Sequence, residues 1–546
     1  MSVNLLLPNN RWPGHRIYFF LLVFIGTSLP LSKFTITIGF VLLAVNWIVE
    51  GDFARKIRVL KARKSILVII SLYLLHLIGL LYTSDFTFAL RDIKIKLPIL
   101  FLPLIIGTSA TLTARQLRIL LTFFAAAVFT GAVITLLVLF GVGGKEITDP
   151  REASVLIYHI RFSLLMNIGI FAAIYLYISN SGKNLFQLGG LALYVIFILM
   201  TMMMLQVFSG LATFAATAFF LSLVMVIRLK NLWLKMAIIM VVIAGLSGSI
   251  FYILTQIKDF YNIKEHNPAT IEKYTAQGNP YIHNFDDPFV ENGYRVGLFV
   301  SRNEMRRAWN QRSAIAFDSI DLKGFKVEYT LTRYLTSRGL RKDSTGVAAL
   351  TKTDIKAIES GIANHIYVTQ KGLKPRIYTT IWEIDRYRHG FTPNGHSITQ
   401  RVEFLKGAFY IIRHNFWTGV GTGDLQVAYN QYYTDTNSQL YKSNQRRAHN
   451  QYITFFIAFG IFGFLWALFA LFYPVFYEGK YNDYLFMVFF ITGFLSMLNE
   501  DTLETHAGAS FFMYFYALFL FGANAFKLIN AKHDEQQKNT FFEESH

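Results

Sequence analysis

The chain has 546 residues, 53% of them hydrophobic and only 16% charged, with 52 Phe and a formal net charge of +18. Together with a mean hydropathy of +0.38, this excludes an ordinary soluble domain and points to an all-α polytopic membrane protein. Cysteine is absent, which excludes a disulfide scaffold and any thiolate chemistry.

In chain order, MSVNLLLPNNRWPGHR lacks a small-residue cleavage signature, so the first apolar segment is expected as a retained helix. Apolar runs of about 20 residues, enough to span a bilayer, are predicted at 17–32, 34–50, 65–83, 97–112, 116–141, 161–180, 187–207, 209–227, 234–256, 450–477, 482–499 and 508–527. That is about 12 transmembrane helices. Basic clusters at Arg55/Lys56/Arg58/Lys61/Arg63/Lys64, Arg115/Arg118, Arg228/Lys230/Lys235 and Lys527/Lys532 then all fall on one side, with the N-terminus. The positive-inside rule makes that side cytoplasmic. The expected division is a transmembrane bundle over 1–257, a large periplasmic loop domain over 258–449, further membrane helices over 450–528 and a cytoplasmic tail over 529–546.

The insertion at 257–449 is too long and too polar for a connector. Its composition predicts a mixed α/β domain. KVEYTLTRYL and RIYTTIWEIDRY alternate as short strands do, and DSTGVAALTKTDIKAIESGIANHI has a helical period with Asp343/Ser344 as its cap. Basic residues outnumber acidic ones here by 27 to 18, which accounts for half the net charge of +18. Positive-inside topology does not explain that half; an anionic partner on the outer side does.

The outer side also collects polar residues at the ends of the predicted spans. Arg161, in YHIRFSLLMN, enters the sixth. It either faces a cavity or a partner, as intramembrane charges do, or snorkels to the headgroups. Arg401 begins an amphipathic stretch with apolar residues at 402, 404, 405, 408, 409, 411 and 412, expected as a helix along the outer face. Next comes GVGTGD, in which Gly419, Gly421 and Gly423 suit either an anion-binding nest or a tight turn.

In RRAHNQYI, His449 precedes the tenth predicted span. The helix dipole and the neighbouring Arg446 and Arg447 disfavour imidazolium, so the ring is expected neutral, as a general base must be. Those arginines and the first-turn N–H groups would attract phosphate. The alternative is a capping or interfacial histidine. In NEDTLETH, the residues Glu500, Asp501, Glu504 and His506 are either solvated loop charges or partners of His449 and the arginines. No spacing typical of a metal site is present, and neither metal nor cofactor is expected.

Arg401 with its amphipathic helix, Gly-x-Gly at 419–421 and again at 421–423, and AHNQYITFFIAFGIFGFLWAL together resemble the O-antigen ligase family. These are membrane glycosyltransferases related to O-antigen polymerases and bacterial O-oligosaccharyltransferases. The resemblance implies an inner-membrane enzyme that takes a glycan from undecaprenyl diphosphate and joins it, with inversion and without metal, to an acceptor hydroxyl in the periplasm. It implies His449 as the catalytic residue acting on the acceptor, with Arg161 and Arg401 gripping the diphosphate. Arg447 joins them as a third diphosphate contact, and Arg446, Asn450, Glu504, Gly421 and Gly423 stand as supporting residues. Many members carry Ser-Arg where this chain has Ser209-Gly210, so that arginine's part is either absent or supplied by Arg447 or Lys96.

Lipid A-core is the expected acceptor. A growing glycan, in a polymerase, or a protein hydroxyl, in an oligosaccharyltransferase, would use the same donor. A lipid-linked oligosaccharide transporter would instead place charges deep within several spans and show an internal repeat, and neither is apparent in the sequence. Apart from donor, acceptor and membrane lipid, no partner is expected, nucleic acid included.

Overall fold

In the computed structural model, residues 13–528 are described apart from 145, 146, 148, 181, 229, 230, 371 and 372. The predicted tail at 529–546, with Lys532, and Lys230 of the third basic cluster lie outside the described residues. Each of the twelve predicted apolar runs is helical. Six are long and apolar enough to cross a bilayer: Lys64–Tyr82, Ala114–Leu139, His159–Ile178, Leu185–Met204, Leu232–Tyr261 and Gln451–Tyr477. A seventh is obtained if Lys33–Val49 and Phe53–Ala62, bent by 106°, form one span. Helix length therefore supports six or seven of the expected twelve spans among the described residues. Shorter members such as Leu97–Thr108, 12 residues with Pro98 in its first turn and Pro103 inside, end before a full bilayer thickness.

The 106° bend follows from two consecutive left-handed residues, Gly51 and Asp52, at φ 63° and 47°. Beyond it the basic stretch is partly neutralised from within. Arg55 bonds Glu50 at 3.0 Å and Asp52 at 2.9 Å, and Lys56 bonds Glu50 at 3.1 Å while lying 4.3 Å from the Trp47 ring centroid. Arg63 pairs with Glu478 at 2.7 Å.

Two compact units result. The first comprises the residues up to Ile238, Phe404–Ser438 and the residues from Gln445 onward; the second comprises Ile239–Glu403 and Gln439–Asn444. The expected boundary at 258 thus falls inside helix Leu232–Tyr261, and Phe404–Ser438, expected in the loop domain, packs with the helical bundle. At the centre of the first unit lies helix His506–Ala517, whose residues from Gly508 to Ala517 are all buried. A helix apolar on every side is stable only inside a bundle. Phe512, Phe515 and Phe489 interlock around it with ring centroids 5.2–6.2 Å apart.

The second unit is mostly helical, not mixed α/β; its one sheet among the described residues is the hairpin Val290–Glu291 with Tyr294–Arg295. KVEYTLTRYL forms helix Val327–Ser337. Val327, Thr330, Leu331, Tyr334 and Leu335 are buried along it before its last turn closes with buried Thr336 and Ser337, a period near 3.6 that overrides the alternation read from sequence. RIYTTIWEIDRY lies in helix Leu373–Arg388. There the threonines that favour strands return their hydroxyls to the helix, Thr379 to the Pro375 carbonyl at 2.9 Å and Thr380 to that of Arg376 at 3.0 Å. Asp343 does cap a helix, Ser344–Ala348, but Thr351 starts a second, Lys352–Glu359, with a capping box through Asp354. Trp309, Phe317, Leu331 and Tyr334 fill this unit's core.

Candidate functional site

Helix Gln451–Tyr477 begins on a tightly specified turn. Asn450 is its N-cap, accepting from the backbone N–H groups of Tyr452 and Ile453 at 3.0 and 3.1 Å and donating to the Leu498 carbonyl at 3.0 Å. The Gln451 N–H donates to Met497 O at 2.9 Å. Three first-turn donors expected to face an anion are thus engaged within the protein, which corrects that part of the sequence reading. His449, immediately before the cap, has φ 49°. A left-handed histidine costs energy and persists only where its surroundings hold it, a condition common at functional sites. The Phe404 ring meets the imidazole edge-on at 5.9 Å between centroids. Arg446 is exposed, whereas Arg447 turns inward.

Arg447 enters a buried charge cluster drawn from three parts of the chain. Lys96 Nζ donates to both Asp92 carboxylate oxygens, at 2.6 and 2.5 Å, and bonds Glu504 Oε1 at 3.0 Å. Gln451 fixes the loop by donating to Glu504 Oε1 at 3.1 Å while its carbonyl oxygen accepts from Leu503 N–H at 2.8 Å. Arg447 Nη1 stands 3.5 Å from Glu504 Oε2 in an ionic contact that is not a hydrogen bond. Thr454 donates to Asp501 at 2.9 Å. Lys96 and Glu504 expose 1% and 3% of their side chains, so these charges are stable only as a set.

Burial raises carboxyl pKa values, yet Lys96 and Arg447 overcome this at Glu504 and hold it down to about 2. Asp92 shares the same ammonium less favourably. Burial, reinforced by the Glu504 charge, pushes its carboxyl up to about 6. At Asp501, burial together with the Glu504 charge also raises the pKa, against the opposing fields of Arg447 and His449. Asp501 therefore lies within the field of the histidine.

Arg161 does not snorkel. It is 7% exposed and its Nη1 donates to the Thr502 carbonyl at 3.3 Å, in the loop that carries Asp501 and Glu504. Gly508 makes its slot: a Cβ there would lie 2.1 Å from Arg161 Nη1 and 1.9 Å from Thr502 O. Gly508→Ala should displace the guanidinium and reduce activity by about tenfold or more, since a 1 Å misplacement can cost ~10²-fold. Steady-state rates of the purified variant test this, and unchanged rates would remove Arg161 from the site. Gly210 is equally confined. A Cβ would sit 2.4 Å from that of Ser163, and the Gly210 carbonyl accepts from Asn167 at 2.9 Å. Lys96, named from sequence as a substitute, is in the buried cluster.

The GVGTGD loop is a packing joint. N–H groups from Gly419 to Gly423 donate in turn to Asn415 O, Ile457 O, Ala458 O, Gly79 O and Thr83 Oγ1, so none is left for an anion nest at Gly421 or Gly423. Helix Gln451–Tyr477 is broken beside it at Gly460, φ 62°. A Cβ on Gly419 would meet the Ala458 carbonyl carbon at 2.4 Å, and one on Gly460 would meet that of Trp417 at 2.3 Å. Arg401 lies in helix Ser397–His414, within the second unit.

Asp92, Gln451, Thr454 and Gly508 were missed by sequence reasoning. Only Asp92 left a signal, as the Asp-x-x-x-Lys spacing that pairs residues on one helix face. Among the described residues no group of three His, Asp or Glu forms a metal site.

Residues 356–468 match the family model described as O-antigen ligase. The match takes in Arg401, the glycine loop, Arg447 and His449, and leaves out Lys96, Arg161 and Glu504. No curated protein matches the chain.

Proposed function

We propose, from the match of residues 356–468 to the O-antigen ligase family model, a glycosyltransferase of the O-antigen ligase or polymerase type, a periplasm-facing enzyme of the bacterial inner membrane. It moves a glycan from undecaprenyl diphosphate to a hydroxyl of lipid A-core, with inversion and without a metal. The observation that carries this reading is the left-handed His449 at a capped helix start, with the buried Asp501 within its field.

His449 takes the proton from the acceptor hydroxyl as the oxygen attacks the anomeric carbon, and Asp501 stabilises the resulting imidazolium. The diphosphate departs with growing negative charge, which fixed guanidinium groups stabilise; Arg161 takes that role. Arg447, turned toward Glu504, acts on the diphosphate through its field and fixes the loop. Lys96 and Arg447 keep Glu504 ionised, and Asp92 holds Lys96 in place. This assigns to Gln451, Thr454 and Asn450 the work of holding the three chain segments together.

Deletion in the native host followed by analysis of the surface glycan is the test. Unattached full-length polymer is the expected result. Single repeat units on the core would identify a polymerase, unglycosylated proteins an oligosaccharyltransferase, and an unchanged glycan would refute the reading.

A further inference from the structure

Helix Phe86–Ile95 has two chemically different faces. Ala89 and Asp92 point inward, as does Lys96 just beyond the helix, where Asp92 and Glu504 neutralise it. Thr87, Leu90, Arg91 and Lys94 point outward at the i, i+3, i+4, i+7 spacing of a single stripe. With Ile95 and His506 they line a surface cavity of about 490 Å³, within the ~300–1,000 Å³ of small-ligand sites.

The cations in this cavity differ from those in the cluster behind it. Among the described residues, Arg91 and Lys94 have neither an ion pair nor a side-chain hydrogen bond. Two unneutralised cations at one cavity wall, with Leu90 and Ile95 beside them, suit an anion joined to an apolar group. The geometry also indicates where that group would lie. The His506 ring meets Phe40 at 6.4 Å between centroids. Phe40 belongs to helix Lys33–Val49, which exposes Phe34, Ile38, Val41, Leu42 and Val45. This is the apolar surface of a bilayer-facing helix, adjoining the cationic cavity.

We propose that Arg91, Lys94 and His506 form a docking site for the phosphate headgroup of a membrane-borne lipid, whose hydrocarbon chain runs along helix Lys33–Val49. This rests on the reading of the protein as an enzyme of lipid-linked glycans. His506 opens the helix whose Gly508 seats Arg161. A headgroup held there is delivered to the loop that carries Asp501 and Glu504.

The phosphate belongs either to the polyprenyl donor or to an anionic phospholipid, and titration of the full-length protein in neutral detergent separates them. The probes are undecaprenyl diphosphate and phosphatidylglycerol. Arg91→Gln/Lys94→Gln should bind undecaprenyl diphosphate about tenfold more weakly or worse, the loss expected for removing charge-assisted contacts. Lys94→Arg should bind like the wild type, and since both side chains are exposed the thermal midpoint should hold. A loss confined to phosphatidylglycerol would assign the same cavity to a phospholipid. Undiminished binding of both lipids by the double variant overturns the proposal. His449→Ala separates the two readings: it should bind undecaprenyl diphosphate normally while transferring no glycan. If that variant still transfers glycan, the catalytic assignment fails and the binding result at Arg91 and Lys94 stands by itself.

Discussion

His449→Ala should abolish glycan transfer, lowering the rate by about 10²–10⁴-fold, the range supplied by a positioned general base. The effect must be separated from backbone strain, because His449 sits at φ 49° and a left-handed alanine costs ~1–2 kcal/mol. Asparagine tolerates that conformation and has no basic nitrogen. His449→Asn should therefore retain the folded protein and lose the same activity. A purified transfer assay with a lipid-linked glycan donor, run beside thermal unfolding in detergent, decides the matter. Transfer within about threefold of the wild type by His449→Asn would end the general-base assignment.

The second large effect is expected at Lys96. Lys96→Met removes the ammonium that both Asp92 and Glu504 contact within 3.0 Å, leaving two buried carboxylates to share the field of Arg447. Breaking a buried pair from one side costs ~3–5 kcal/mol. Glu504→Gln should cost a similar amount, since it removes the counter-charge of both Lys96 and Arg447. The double variant should be less destabilised than the two single effects added, because each substitution removes the charge stranded by the other. Unfolding midpoints of the four proteins close the cycle. Additive losses, or single variants as stable as the wild type, would show that the three side chains do not act as a set.

The acid limb has a defined sign. Glu504 is held down to about 2, below the ~4.3 of an unfolded glutamate. Its contribution is complete above about pH 4.3 and is lost as pH falls through the folded value.

The positions of the helices were legible because apolar runs bounded by polar loops declare themselves. The number of spans was not, since segments such as Leu97–Thr108 are helical but shorter than the apolar run around them. In the loop domain, the alternation of KVEYTLTRYL fitted a strand as well as a helix. Burial of Thr330 and Tyr334 beside Val327 and Leu331 settled it, and burial depends on the rest of the unit. At the site, His449 and Arg161 were visible because a charge or an imidazole beside a membrane segment is conspicuous. The partners that give them meaning were not. Gln451 reads as an ordinary polar start to a helix, and Gly508 as one small residue among several. Their roles arise from contacts with distant segments, Gln451 with Leu503 and Glu504 and Gly508 with Arg161. The glycine loop left two readings open for a local reason, because freedom for backbone to approach a ligand is equally freedom to approach another backbone.

The cluster that joins Asp92 and Lys96 to Glu504 also orders events during synthesis. When Lys96 leaves the ribosome its only partner in that cluster is Asp92, four residues earlier, so the first charge pair is ready-made within a single helical turn. Arg447 follows much later without its carboxylate, and Glu504 and Thr502 come almost last. Until the loop that carries Thr502 and Glu504 is made, Arg161 lacks its carbonyl and Arg447 its counter-ion. The cluster is therefore completed only with the loop that carries Glu504, and before it the Asp92–Lys96 pair stands alone.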